Sequence, residues 1–142
     1  MYKSADELTY EAFKRGLNET TLSEYIKFKM TSTEKPVNTD GLPLTIDVVK
    51  MQHKVHFDCD IIITINEEIF DRLTEGVQNY IIKKTWCYVQ YDVEKEVVKK
   101  IKPEFIEFDS LLCKLSYEEI EAYRIGIDNI VTEYKEELKE NK

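Results

Sequence analysis

Nothing in this 142-residue chain approaches the ~20 apolar residues of a membrane span. The N-terminus, MYKSADELTYEAF, lacks an apolar core of signal-peptide length. A cytoplasmic protein with no membrane partner is expected. Cysteine is scarce: Cys59, Cys87 and Cys113 stand singly and far apart. The absence of any CxxC pair excludes a zinc ribbon. An odd number of thiols in apolar stretches implies buried, reduced cysteines in a cytosol. The four glycines, at 16, 41, 76 and 126, are too scattered to form a phosphate-binding loop. Histidine is confined to positions 53 and 56. There are no repeats and no low-complexity tracts.

What is present describes a globular domain. Hydrophobic residues make up 42% and charged residues 34%, enough for a single core in one domain spanning 1–142. The net charge of −8 is uneven. Residues 1–103 hold 17 acids and 15 bases, whereas residues 104–142 hold 11 acids and 5 bases, so the acidity belongs to the C-terminal region. Such a region can be a solvated face, a docking surface for a basic partner, or a mimic of DNA phosphates. Its sign disfavours direct nucleic-acid binding. The lysines at 83, 84, 95, 99, 100 and 102 are a local exception, read mainly as solvating a turn.

Periodicity and punctuation predict the elements. Asp6 to Arg15 reads as a helix stopped by Gly16, and Thr21 to Met30 as a second, so residues 1–30 form an N-terminal helical unit. Residues 31–43 hold two of the three prolines and read as a loop. Leu44 to Phe57 is rich in β-branched residues and reads as one long strand or two short ones. Asp60 to Ile65, DIIITI, is the strongest strand signal, and its isoleucine run suggests burial on both faces. Asn66 is a candidate cap for a short helix, Glu67 to Leu73. Thr74 is a second cap candidate, opening a helix that runs to Tyr91 or Asp92. That helix is apolar on more than one side, as a buried central helix should be. Asp92 to Lys102 is a charged connection, either a hairpin or an extended arm. Pro103 suits the first turn of a helix over Glu104 to Leu115. Ser116 and Glu119 form a capping-box pattern for an acidic last helix over 116–138.

The inward stripe of the central helix carries Lys84 and Tyr88, four residues apart. At that spacing a zinc peptidase places two histidines, with a glutamate beside the first. DIIITINEEIFDRLTEGVQNYII, then a charged turn and KPEFIEFDSLL, resembles a family of small phage-encoded metallopeptidases. In that family a strand leads through a short helix into a helix bearing HExxH. The resemblance covers roughly residues 58–112, within a metallopeptidase-like core over 44–115. It places Lys84 at the first histidine, Thr85 at the catalytic glutamate and Tyr88 at the second histidine. Pro103 or Glu104 falls where the third ligand is expected. The signature itself is missing, so the resemblance implies a degenerate member with no metal and no cofactor. A lysine ammonium repels a divalent ion, and a phenol is a poor ligand near neutral pH. Threonine cannot serve as the general base. A buried cation needs a partner, and Glu104, with Tyr88 close by, is the candidate. The alternative is that Lys84 extends to solvent.

Other constellations carry less. On a strand, His53 and His56 would point to opposite faces and could not chelate without a bulge. Cys87 has no histidine after it to act as base, and the neighbouring Lys83 and Lys84 do not face it on a helix. Glu104 and Glu107 share a helix face but lie near no cleft signal. Nine tyrosines and six phenylalanines supply amphipathic contacts, with Tyr2, Tyr10, Tyr117, Tyr123 and Tyr134 in the terminal segments.

The expected architecture is α+β: a small sheet, a central buried helix and flanking helices on a zincin-like, metallopeptidase-like scaffold. The expected function is a non-catalytic, phage-encoded interaction protein that binds and inhibits or redirects a host protein in the cytosol. The contact regions would be the 31–43 loop and the last helix, through Glu133, Tyr134, Glu136 and Glu137. The alternatives are a divergent metal-dependent hydrolase using Glu104, His53 or His56; an acidic DNA mimic that inhibits a DNA-handling protein; and a structural or homo-oligomeric phage component.

Overall fold

A computed structural model describes residues 2–102 and 115–141. The architecture is mixed α+β, with a small sheet and several helices. Four strands, β1 (Tyr2–Ser4), β2 (Phe28–Thr33), β3 (Leu44–Val48) and β4 (Ile61–Ile65), form a sheet in the order β1-β2-β4-β3. β2 and β4 run parallel, and β1 and β3 flank them antiparallel. A separate hairpin joins β5 (Val89–Asp92) to β6 (Val97–Lys100). The helices are α1 (Glu7–Asn18), α2 (Met51–Phe57), α3 (Glu67–Arg72), α4 (Glu75–Cys87) and α5 (Tyr117–Glu140).

Strand alternation builds the core. Phe28 and Met30 of β2, Leu44 and Ile46 of β3, and Ile61, Ile63 and Ile65 of β4 share one face through the register and are buried. Each of these large side chains contributes about 1.5–3 kcal/mol by leaving water. The other face is only half-buried and polar. A row of hydroxyl residues crosses all four strands there, Ser4 to Thr31 to Thr64 to Thr45, with 3.0 Å between the oxygens of Thr31 and Thr64. The isoleucine run of β4 is therefore fully buried on one face, with Ile62 half-buried on the other.

α4 lies in the middle, as expected of a helix apolar on several sides: Tyr80, Ile81, Ile82, Thr85 and Trp86 are all buried. Thr74 caps it by accepting from the Val77 amide. Trp86 donates its indole N–H to the Phe13 carbonyl of α1 at 2.9 Å and meets Phe28 edge-on. α5 closes the structure on α3 and α4 with buried Ile120, Ile127 and Tyr134, spaced by seven residues. Ser116 caps it through the Glu119 amide.

Several elements differ from the sequence reading. Thr21 to Met30 is not a helix: a 3-10 turn, Thr21–Glu24, leads into β2. Pairing with β4 supplies backbone hydrogen bonds and buries alternate residues, which outweighs weak local helix preference. β2 also takes Thr31 to Thr33 from the expected loop. α1 continues through Gly16 to Asn18, because Gly16 is a packing residue: a Cβ there would sit 2.3 Å from Cγ2 of Ile82. Met51 to Phe57 is a helix rather than a strand, ended by Asp58 in the left-handed region at φ 49°. α4 stops at Cys87, four or five residues early, because Val89–Asp92 pairs with Val97–Lys100. The Asp92 carboxylate accepts from the amides of Glu94 and Lys95 and turns the hairpin. The helix expected from Pro103 and Glu104 onward, and Cys113, lie outside the described residues.

Candidate functional site

The end of α4 carries three of the positions where the resemblance places metal chemistry, and all three are buried. Lys84 is 1% exposed, Thr85 0% and Tyr88 1%. Lys84 does not extend to solvent. Its ammonium stands 3.4 Å from the Tyr80 hydroxyl and 5.7 Å from the centre of the Tyr80 ring. The ring face and phenol oxygen both favour a cation over an apolar wall. Thr85 turns back on its own helix and donates to the Ile81 carbonyl at 2.7 Å. Tyr88 is the C-cap residue of α4 and donates its phenol to the Asp40 carboxylate at 2.6 Å.

Asp40 comes from the 34–43 connection. Its φ of 49° and that of Gly41, 90°, turn the chain back onto the domain. The Asn38 side chain supports this turn by accepting from the Gly41 amide at 2.7 Å. Between the turn, α4 and α5 lies a cavity of about 30 Å³, lined by Lys84, Asp40, Arg124 and Asp128 among others. That exceeds the roughly 10–15 Å³ needed to hold one water and is far below a ligand pocket. Two cations and two carboxylates line this small space; Lys84 is buried, Arg124 half-buried, and Asp40 and Asp128 are exposed at the surface. It is not a substrate cleft.

These residues do not fit a divalent metal. The first offers an ammonium, the second has committed its hydroxyl to a backbone carbonyl, and the third donates a proton to a carboxylate. Among the described residues no group of three or more His, Cys, Asp or Glu could hold a metal ion. Glu104, the candidate partner of Lys84, and Glu107 fall outside those residues.

The remaining candidates are dispersed. His53 and His56 sit on exposed helix α2 rather than on a strand, so their three-residue spacing places them on one side. Cys87 is half-buried. Cys59 is buried, and desolvation raises its thiol pKa.

The four contact candidates on α5 divide into two pairs. Glu133 and Glu136 are exposed. Tyr134 is buried and donates its hydroxyl to the Glu34 carbonyl. Burial raises its phenol pKa. Glu137 accepts two hydrogen bonds from Arg72 of α3, at 3.1 and 2.8 Å. The guanidinium holds this carboxyl below the usual range. Arg72 also lies 5.7 Å from the centre of the Tyr134 ring. Tyr134 and Glu137 thus dock α5 against the domain. Sequence reading missed Asp40, Arg124 and Asp128, whose only local signal was the Asp-Gly pair of the turn.

Comparison with family models, with curated proteins and with solved structures gives no match to this chain.

Proposed function

We propose that this chain is a non-catalytic interaction protein, phage-encoded, on a degenerate metallopeptidase-like scaffold, and that it binds and inhibits or redirects a host protein. The observation that carries this reading is the buried Lys84 ammonium beside Tyr80, at the position where the resemblance places a ligand. A fixed cation there performs a structural task and opposes a metal. The cavity around it, about 30 Å³, has no room for a peptide substrate.

The test has two arms. Elemental analysis of the purified full chain is expected to give well under one zinc per chain, with no chelator-sensitive peptide hydrolysis. Affinity capture from host lysate is expected to recover one protein in stoichiometric amount. Stoichiometric zinc together with metal-dependent hydrolysis overturns the reading.

A second reading is favoured by one observation: Glu133 and Glu136 stand exposed on a long acidic helix. Carboxylates along that face would compete with DNA phosphates for a DNA-handling protein. Capture would then weaken steeply with added salt and would fail for Glu133→Lys/Glu136→Lys.

A further inference from the structure

β1 pairs with Thr31–Thr33 only, so the first half of β2 has β4 on one side and no strand on the other. The Lys27 carbonyl faces β4, where it accepts from Asp60 and Ile61, and the Met30 carbonyl faces the opposite side, where it accepts from Ala5. By the alternation of a strand, the Phe28 amide and carbonyl and the Met30 amide also face that open side. Among the described residues none of these three groups makes a backbone hydrogen bond outside its own ladder.

The open edge forms the wall of a groove of about 690 Å³ between β2 and α1. Its floor is the stacked pair Tyr10 and Phe28, with ring centres 4.9 Å apart. Three lysines line it. Lys27 and Lys29 project from the face of β2 opposite to Phe28 and Met30, and Lys14 lies beyond Tyr10, 6.0 Å from its ring centre. None of the three forms an ion pair among the described residues. Two carboxylates, Glu7 and Asp58, also line the groove, so its lysines outnumber its acids by three to two. A chain of net charge −8 has gathered ammonium groups along one unpaired strand edge.

We propose that this edge is the docking site for an extended acidic segment of a partner protein, added beside Phe28–Met30 in line with β1. Backbone hydrogen bonds to Phe28 and Met30 hold such a segment. Alternate side chains meet Lys14 and the aromatic floor on one face, and Lys27 and Lys29 on the other. Three residues of strand span about 10 Å, the length left open. A second copy of this chain is the poorer occupant, because edge-to-edge pairing would oppose Lys27 and Lys29 to the same lysines. The proposal rests on the interaction reading above and names the surface and the partner's chemistry.

The probe is a five-residue peptide of alternating glutamate and valine with blocked ends, titrated into the ¹⁵N-labelled full chain. Saturable binding is expected, with amide exchange at Phe28 and Met30 slowed about tenfold or more. The triple variant Lys14→Glu/Lys27→Glu/Lys29→Glu, all exposed positions, should bind about tenfold or more weakly. A peptide N-methylated at alternate residues should lose as much on the unaltered protein, which keeps the test decisive if the triple variant folds poorly. Unchanged exchange at Phe28 and Met30, or equal binding of a control peptide with lysine in place of each glutamate, overturns the proposal. If lysate capture recovers a partner that the folded triple variant also retains, the edge proposal fails and the interaction reading stands. If capture recovers nothing while the peptide protects Phe28 and Met30, the interaction reading fails and the edge stands.

Discussion

Tyr88 and Asp40 are 48 residues apart in sequence, and the phenol of one donates to the carboxylate of the other at 2.6 Å. This bond ties the end of the central helix to a turn held in the left-handed region. The turn forms one wall of the cavity beside Lys84. The bond thus links that wall to the end of the helix that carries Lys84.

Tyr88→Phe keeps the ring and removes the donor. It should cost about 1.5–3 kcal/mol, measured by urea unfolding, as for a hydrogen bond to a charged acceptor. Asp40→Asn should cost less than Asp40→Ala, because asparagine keeps an acceptor and tolerates positive φ. Equal losses for the two Asp40 variants would show that the bond is not what holds the turn.

Gly16→Ala should destabilise the chain by about 1–3 kcal/mol, despite alanine's better helix propensity, because the new methyl overlaps Ile82. The cost should shrink in an Ile82→Ala background, where the obstructing atom is gone. A double-mutant cycle checks this; simple additivity would refute the contact.

The Arg72–Glu137 pair predicts an acid-dependent contribution. The carboxyl of Glu137 is depressed in the folded state, so its stabilisation is complete above the ordinary glutamate value, about 4.3. It is lost as pH falls through the depressed folded value. Wild type should exceed Glu137→Gln in stability at pH 7, and the difference should vanish in stronger acid. Unfolding curves at pH 7 and pH 3 check this. The pair is partly exposed, so added salt should reduce the difference.

Asp71 predicts the opposite sign. Desolvation, then Glu67 and Asp6, raise its carboxyl. Its ionised form is therefore unfavourable in the folded chain, and the penalty appears as pH rises through the raised value. Asp71→Asn should stabilise at pH 7 and be neutral below the ordinary aspartate value, about 3.9. A stabilisation that persists in acid would assign the gain to packing.

Lys84→Met tests whether the buried ammonium is structural. Thermal unfolding should change while partner capture by the folded variant stays the same. Loss of capture by a variant with native circular dichroism would place Lys84 in the binding surface.

The sequence alone determined what short-range rules govern. The isoleucine strand over 61–65, the caps Asn66, Thr74 and Ser116, the buried character of the central helix and the long last helix were legible, because a cap and its amide lie three residues apart. The charged stretch after Asp92 was legible only as far as a hairpin or an arm. Tertiary structure decided the rest. Phe28 became a strand residue because Ile61, 33 positions later, offered a parallel partner. Gly16 stayed within its helix because Ile82 approaches it, and Tyr134 turned inward to reach Glu34. The charges around Lys84 meet only where the turn at Asp40 and the face of α5 close on α4. Local pattern fixes which element can form. Contacts between distant segments choose among the options that local energies leave nearly equal.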